Sequence, residues 1–446
     1  MKKIIEGQTK NSPHSRRDFI KHSGTIIAGA TLGAALPLQS MASFHHGVDE
    51  TLKVALIGCG ARGAGAAVNA LRTEGSVELV AMADAFRDKL DETYDNLMQI
   101  EGVKEKVKVS EEHKFVGFDG YKEAIKLADV VLLVTPPAFR PLHFEAAVEA
   151  GKHVFMEKPL ASDSPGIRKV LEVGKIADQK GLKVLVGLQN RYAPEFQEVA
   201  KRVRDGEIGE IISASDYYMI GPVKLVPRQP EWTEMEFQMR NWRHFNWLWA
   251  GSPAGLQIHN TDLVNWVMDA YPVKASGLGG KSGQRGPDYG DIFDNFFIEY
   301  EYENNVKLNS QIRHIGGTWN KGGAYIIGTK GIADFKNASI TDHKGNVIWR
   351  NRQKYGNPYQ LQTDHLFECI RNGTPLNDTD WGAKSTMTTI MGRMASHSGQ
   401  LLSWDESLAS ELHLLPEKFE WNEMPRFVAG EDGCYPVPVP GISPPL

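Results

Sequence analysis

From residue 52 onward, short unbroken apolar runs alternate with amphipathic stretches. Leu52 to Ile57, Val77 to Ala83, Val130 to Val134, Val154 to Met156 and Val184 to Leu188 are each three to seven residues long and largely free of charge. Runs of that length and purity predict strands buried on both faces. The Ala-rich stretch to Leu71, His143 to Ala150 and Pro165 to Gln179 read as the helices between them. Strands alternating with helices predict a doubly wound parallel sheet covered on both sides. This unit is placed at residues 50–190.

Beyond residue 190 the period changes. Ile211 to Asn346 is rich in β-branched and aromatic residues with alternating polarity, as in Ile292 to Tyr302 and Val306 to Ile312. Alternation predicts strands with one covered face, here an open, mainly antiparallel sheet. One helix, Leu256 to Met268, interrupts it; Tyr359 to Asn372 and Gly382 to Leu402 are helical again. The second unit, α+β in class, is placed at 191–426. The Pro- and Gly-rich stretch 427–446 is expected to run as an extended strap.

Composition narrows the partners. The 446 residues carry a net charge of −5, with 41% hydrophobic and 24% charged positions. That is globular composition with no basic excess, so nucleic acid is not an expected partner. Cys59, Cys369 and Cys434 fit no zinc spacing, and no metal is expected. An odd number excludes a full disulfide framework. One bridge, for instance Cys369 to Cys434, stays open beside the favoured reading of three free thiols.

The first 42 residues read as an address. Ser15-Arg16-Arg17-Asp18-Phe19-Ile20-Lys21 looks like a twin-arginine signal, followed by a weakly apolar run from Gly24 to Leu38 and small residues at Ser40 and Ala42. The run is too short for a membrane span. The expectations are export of a folded protein to the periplasm, a mature start at Ser43, and no stable membrane anchor.

Gly58-x-Gly60-x-x-Gly63 follows the first strand directly and opens a helix. In that setting it is a dinucleotide fingerprint. Gly58 allows the tight turn, Gly60 lets the backbone approach a pyrophosphate, and Gly63 lets helix and strand close. Ala61 and Arg62 lie within the loop. Asp84, about twenty residues on, stands where a carboxylate accepts the ribose hydroxyls and repels a 2′-phosphate, so NAD is expected over NADP. Arg87 could soften that preference.

Three further stretches carry a resemblance: Thr135-Pro136-Pro137 with His143, the run Ala150 to Ala161 containing Glu157-Lys158-Pro159, and Gly328-Thr329-Lys330-Gly331. They resemble the Gfo/Idh/MocA oxidoreductases (glucose-fructose oxidoreductase and inositol dehydrogenase among them). His259-Asn260-Thr261-Asp262 and Gly392-Arg393-Met394-Ala395 resemble its exported, sugar-associated branch. The resemblance implies that Lys158 sits beside the nicotinamide of the cofactor and contacts the reacting hydroxyl, that Thr135, Pro136, His143 and Glu157 border the cofactor, and that the protein is a dimer or tetramer. It also implies an Asp-x-x-x-His-x-x-Asp helix on which His259 is the general acid/base. Gly255 stands where the first Asp belongs, so His259 acts alone or borrows a carboxylate from elsewhere; Asp262 could orient it. Arg191 and Tyr192, after the last strand, and Asp262 are the candidate substrate contacts. Trp242, Phe245, Trp247 and Trp249 could stack on a sugar but are read first as core.

The expected activity is NAD-dependent hydride transfer at a secondary hydroxyl of a sugar or glycoside, with a tightly held cofactor recycled in place. The alternatives are a redox-assisted glycosidase and a non-catalytic sugar-binding protein on the same scaffold.

Overall fold

The structure is a computed structural model and describes residues 50–445. The signal-like segment 1–42 lies outside the described residues. Six parallel strands form the first sheet: β1 (Leu52–Ile57), β2 (Val77–Asp84), β3 (Lys114–Val116), β4 (Val130–Leu133), β5 (His153–Met156) and β6 (Val184–Val186). Their order is β3-β2-β1-β4-β5-β6. The order reverses between β1 and β4, and such a switch point opens a crevice at the carboxyl ends of the strands.

All but one of the β1 positions are buried, as are all four of β4 and all four of β5. That continuous burial is why their apolar runs are legible. β3 has two half-buried residues and one exposed one, Val116, and no sequence signature. β6 stops at Val186 rather than Leu188, because the Leu188 amide turns back to donate to the Val186 carbonyl (2.7 Å) and the last bond to β5 is that of the Gly187 amide to the Met156 carbonyl.

The second sheet has nine strands: β7 (Ile211–Ile220), β8 (Lys274–Gly280), β9 (Asn295–Glu301), β10 (Lys307–His314), β11 (Lys321–Gly328), β12 (Ile332–Asp334), β13 (Ser339–Thr341), β14 (Val347–Arg350) and β15 (Leu402–Ser403). Their order is β14-β13-β12-β11-β7-β10-β9-β8-β15. Only β7 and β10 pair in parallel; the other pairs are antiparallel. Alternate residues of β10 (Leu308, Ser310, Ile312, His314) are buried on the inner face. The outer face leaves Leu278 74% exposed and Phe297 42% exposed.

Helix Thr379–Ser398 packs against both helix Ser164–Gln179 of the first unit and strands β8 and β9 of the second, and is buried over most of its length. Gly382 faces Val186, and a Cβ on Gly392 would lie 2.1 Å from the Tyr300 hydroxyl. The helix ends at Ser398, four residues earlier than expected, because Gly399 takes a left-handed conformation (φ +71°). Helix Pro358–Asn372 returns to cover the first sheet with Leu366, Phe367 and Ile370. Two short helices, Glu234–Arg240 and Asn246–Trp249, also interrupt the second sheet region, where the sequence shows only one. Residues 427–445 form no helix or strand. The three cysteines are free thiols.

Candidate active site

The crevice at the carboxyl ends of β1, β2 and β4 is a cavity of about 490 Å³. Gly58, Gly60, Ala61, Arg62, Gly63, Asp84, Thr135, Pro136 and His143 all line it. The three glycines differ in what surrounds them. A Cβ on Gly58 would lie 2.6 Å from the Thr135 amide, and one on Gly63 would lie 2.0 Å from the Gly58 carbonyl; Gly60 has no atom within 4 Å. Two glycines therefore let the protein close on itself, and the third leaves open space for a ligand. Gly60 caps helix Ala61–Leu71, whose first amides and dipole favour an anion there.

Asp84 ties the loop together. Its Oδ2 accepts from the Cys59 amide (2.6 Å) and its Oδ1 from the Phe86 amide (2.9 Å). Each carboxylate oxygen has a second lone pair for a ribose hydroxyl. Burial pushes its pKa up, while those two amides oppose the rise. The Arg87 guanidinium is paired with Asp91 and Glu111 on the surface.

The next shell is built on two buried arginine and histidine side chains. Arg140 donates to the Pro159 carbonyl (2.5 Å) and to the Thr135 carbonyl. His143 shares a 3.2 Å hydrogen bond with the Thr135 hydroxyl and lies 4.1 Å from the Tyr121 ring. Burial lowers the His143 pKa to about 3, so the ring is neutral. Glu157 is paired with Arg62 at 2.6 Å, and Arg62 also lies 4.8 Å over the Tyr359 ring. Gly187 makes room for Glu157, because a Cβ there would lie 2.8 Å from its Oε1.

Lys158 follows β5, and its peptide bond to Pro159 is cis. Its ammonium donates to the Gly255 carbonyl at 2.7 Å. Burial lowers its pKa to about 8; Glu157 opposes this, while Arg243, Arg140 and Arg62 add to it. Gly255 lies in a π-helical turn, Pro253–Gln257, that leads into helix Ile258–Met268. His259 sits one turn beyond Gly255. No group among the described residues hydrogen-bonds its ring, and its Nδ1 is buried without a partner. Burial first, then the charges of Lys158 and Arg62, hold its pKa well below the usual histidine value. The two residues expected to do chemistry are thus held together, one cationic and one neutral.

The expected substrate contacts fall elsewhere. Arg191 grips Asp262 through two hydrogen bonds, 2.9 and 2.8 Å, and stacks 3.9 Å over Trp381. Asp262 also accepts from Ser385 at 2.6 Å. The Tyr192 hydroxyl donates to Asp378 at 2.6 Å. All three side chains are committed to the protein, and Asp262 does not orient His259. The aromatic cluster divides: Phe245, Trp247 and Trp249 are core, whereas Trp242 lines the cleft.

Sequence reasoning missed the roof of the cleft. Val226, Trp232, Met239, Arg240, Trp242 and Arg243 face the glycine loop from the other side. Trp232, Met239 and Trp242 belong to a third apolar core that joins residues 225–248 to Leu414, Phe419, Trp421, Phe427 and Tyr435. Arg240 bonds Asp88 at 3.1 and 3.3 Å and lies 4.2 Å over Phe86. Trp421 packs 5.1 Å from Phe86 and 4.5 Å from Phe118. The signal available was composition: a Trp- and Met-rich stretch without period, and an aromatic residue two places after Asp84.

This glycine-loop cleft, with Gly60 open and an Arg62 nitrogen left without a partner, fits a dinucleotide. The family description "Oxidoreductase family, NAD-binding Rossmann fold" matches residues 52–188. "Oxidoreductase family, C-terminal alpha/beta domain" matches residues 200–411. The chain belongs to the Gfo/Idh/MocA oxidoreductases. It is 26% identical over 283 residues to scyllo-inositol 2-dehydrogenase (NAD(+)) of Bacillus subtilis (strain 168), covering 60% of this chain and 75% of that protein. Aldose-aldose oxidoreductase from Caulobacter crescentus, complexed with glycerol, aligns at a TM-score of 0.62 with 20% identity, over 79% of this chain and 100% of that one. Scyllo-inositol dehydrogenase from Lactobacillus casei, with bound NAD(H) and scyllo-inositol, aligns at 0.58 with 18% identity, over 80% and 100%. At those identities the two structures share the fold.

Proposed function

We propose that the protein oxidises or reduces a secondary hydroxyl of a sugar or glycoside, using an NAD that is held tightly and recycled in place after export to the periplasm. The observation that carries this reading is the pairing of Lys158 with His259. A cationic ammonium lies one helical turn from an imidazole that is neutral and free of partners. Bound NAD supplies the hydride acceptor or donor. His259 accepts the hydroxyl proton as a general base. The Lys158 ammonium stabilises negative charge on the same oxygen. In reduction a protonated His259 gives the proton back to the carbonyl oxygen, while the Lys158 ammonium again stabilises negative charge on that oxygen.

The names of the relatives, dehydrogenases and oxidoreductases of inositols and aldoses, support a polyhydroxylated substrate. The aromatic roof over the cleft supports slow release of the cofactor, which an exported enzyme needs. The apolar outer face of the second sheet, with Leu278 and Phe297, supports a homo-oligomer.

The test is to purify the mature protein without added cofactor and follow nicotinamide absorbance while sugars and glycosides are added. Bound NAD reduced by one sugar and reoxidised by another, or by its keto form, is the expected result. Release of free sugar from a glycoside with no net redox change would move the assignment to redox-assisted glycoside cleavage. Absence of bound cofactor and of NAD affinity would leave a sugar-binding protein.

A further inference from the structure

We propose that the substrate carries a carboxylate and that Arg243 is the side chain that binds it, a sugar acid or uronide rather than a neutral sugar; this rests on the function proposed above.

The cations that line the cleft are Arg62, Lys89, Arg240 and Arg243. Arg62 is paired with Glu157, Lys89 with Glu92, and Arg240 with Asp88. Arg243 alone forms no ion pair among the described residues. It is exposed to the cleft, and its guanidinium is supported from below by the Trp242 ring at 5.0 Å. An arginine left without a carboxylate, and pre-set on an aromatic face, is arranged to take an anion from outside.

A chain of contacts links Arg243 to Lys158, which lies beyond the lining of the cavity itself. Trp242 lies 6.4 Å from Trp249. The Trp249 indole in turn occupies the space beside Gly255, where a Cβ would fall 2.1 Å from its Nε1. The Gly255 carbonyl receives the Lys158 ammonium. Trp249 therefore shuts out any side chain at 255, including the aspartate the resemblance leads one to expect. Lys158 has three arginines around it, Arg62, Arg140 and Arg243, and one nearby carboxylate, Glu157, that Arg62 already holds. A carboxylate on the substrate restores the balance.

A phosphate of NAD is the competing partner. The glycine loop, the start of helix Ala61–Leu71 and the unpartnered Arg62 nitrogen already provide donors for it across the cleft.

The experiment compares matched pairs that differ only at the terminal carbon, methyl glucoside with methyl glucuronide and methyl galactoside with methyl galacturonide. Binding to the NAD-loaded protein is read by calorimetry, and cofactor reduction by absorbance. At least one uronide is expected to bind about 10- to 100-fold more tightly than its neutral partner, the value of one charge-assisted contact. Arg243→Gln should bring that ratio close to one, and Arg243→Lys should recover part of it, with NAD affinity unchanged in both. Equal or tighter binding of the neutral members overturns the proposal while leaving the oxidoreductase reading intact. So does weakened NAD binding in Arg243→Gln with the ratio preserved, which would make Arg243 a phosphate ligand. Uronide binding without cofactor reduction by any sugar would sink the oxidoreductase reading and keep this one.

Discussion

The two ends of the cleft are built on opposite terms. At the end near Asp84, every charge has a protein partner: Asp84 is bonded by two backbone amides, and Arg240 pairs with Asp88 and stacks on Phe86. At the end near Lys158, groups are left unsatisfied: the His259 Nδ1 has no partner, the Lys158 ammonium rests on a carbonyl, and Arg243 has no carboxylate. A satisfied end holds; an unsatisfied end reacts, because its polar groups are strengthened when substrate displaces water. Retention and chemistry should therefore be separable by mutation.

Lys158→Met should give the largest effect. Turnover should fall about 10³-fold, in the range seen for loss of one preorganised charge-stabilising donor, while NAD affinity changes little. A parallel loss of NAD affinity, read by fluorescence titration, would mean the two ends are coupled. The pH profile sharpens the point. A lysine whose pKa is lowered to about 8 is charged below that value and loses its proton above it. Oxidation should therefore decline above about pH 8, by up to about tenfold per unit. Because His259 is held well below its usual pKa, no acidic limb should show between about pH 6 and 8.

Gly60→Ala comes next. With nothing within 4 Å of its Cβ, the variant should keep its melting temperature yet weaken NAD binding, by about 10- to 100-fold for a methyl in the approach path of the pyrophosphate. Gly63→Ala should instead unfold at lower temperature, since its Cβ meets the Gly58 carbonyl at 2.0 Å. Equal melting of the two variants would break the distinction.

Arg240→Ala should be smaller still. Removing a partly exposed ion pair and its stacking on Phe86 should cost about 1 kcal/mol, speeding NAD release about fivefold in stopped-flow chase with turnover nearly unchanged.

The holding end was largely legible in the sequence, and the reacting end only in part. Gly58, Gly60, Gly63 and Asp84 act through backbone geometry that a strand and a helix fix locally, so spacing finds them. Lys158 is found because it ends a buried strand, and His259 because it lies on a recognisable helix. Arg191, Tyr192 and Asp262 show the limit. Their place after β6 or on the helix is correct, but sequence does not give the direction of a side chain, and each turns to a protein partner. Arg243 and the roof were hidden because residues 221–249 have no sustained period, and their partners Trp421 and Tyr435 lie about two hundred residues away. Loop contacts of that separation leave no local signature.

The roof also sets an order of events during synthesis. Its walls come from residues 225–248, but they are pinned from the far end of the chain. Tyr435 donates to Glu234 and accepts from Arg228, and Gln238 donates to the Phe427 carbonyl. Helix Pro358–Asn372, which seals one face of the first sheet, also arrives late. A ribosome-bound chain that has finished the glycine loop thus has the floor of the cleft long before its cover. A dinucleotide entering during that interval meets an open crevice, and completion of the last few dozen residues closes the cover over it. Loading and sealing become successive stages of biogenesis.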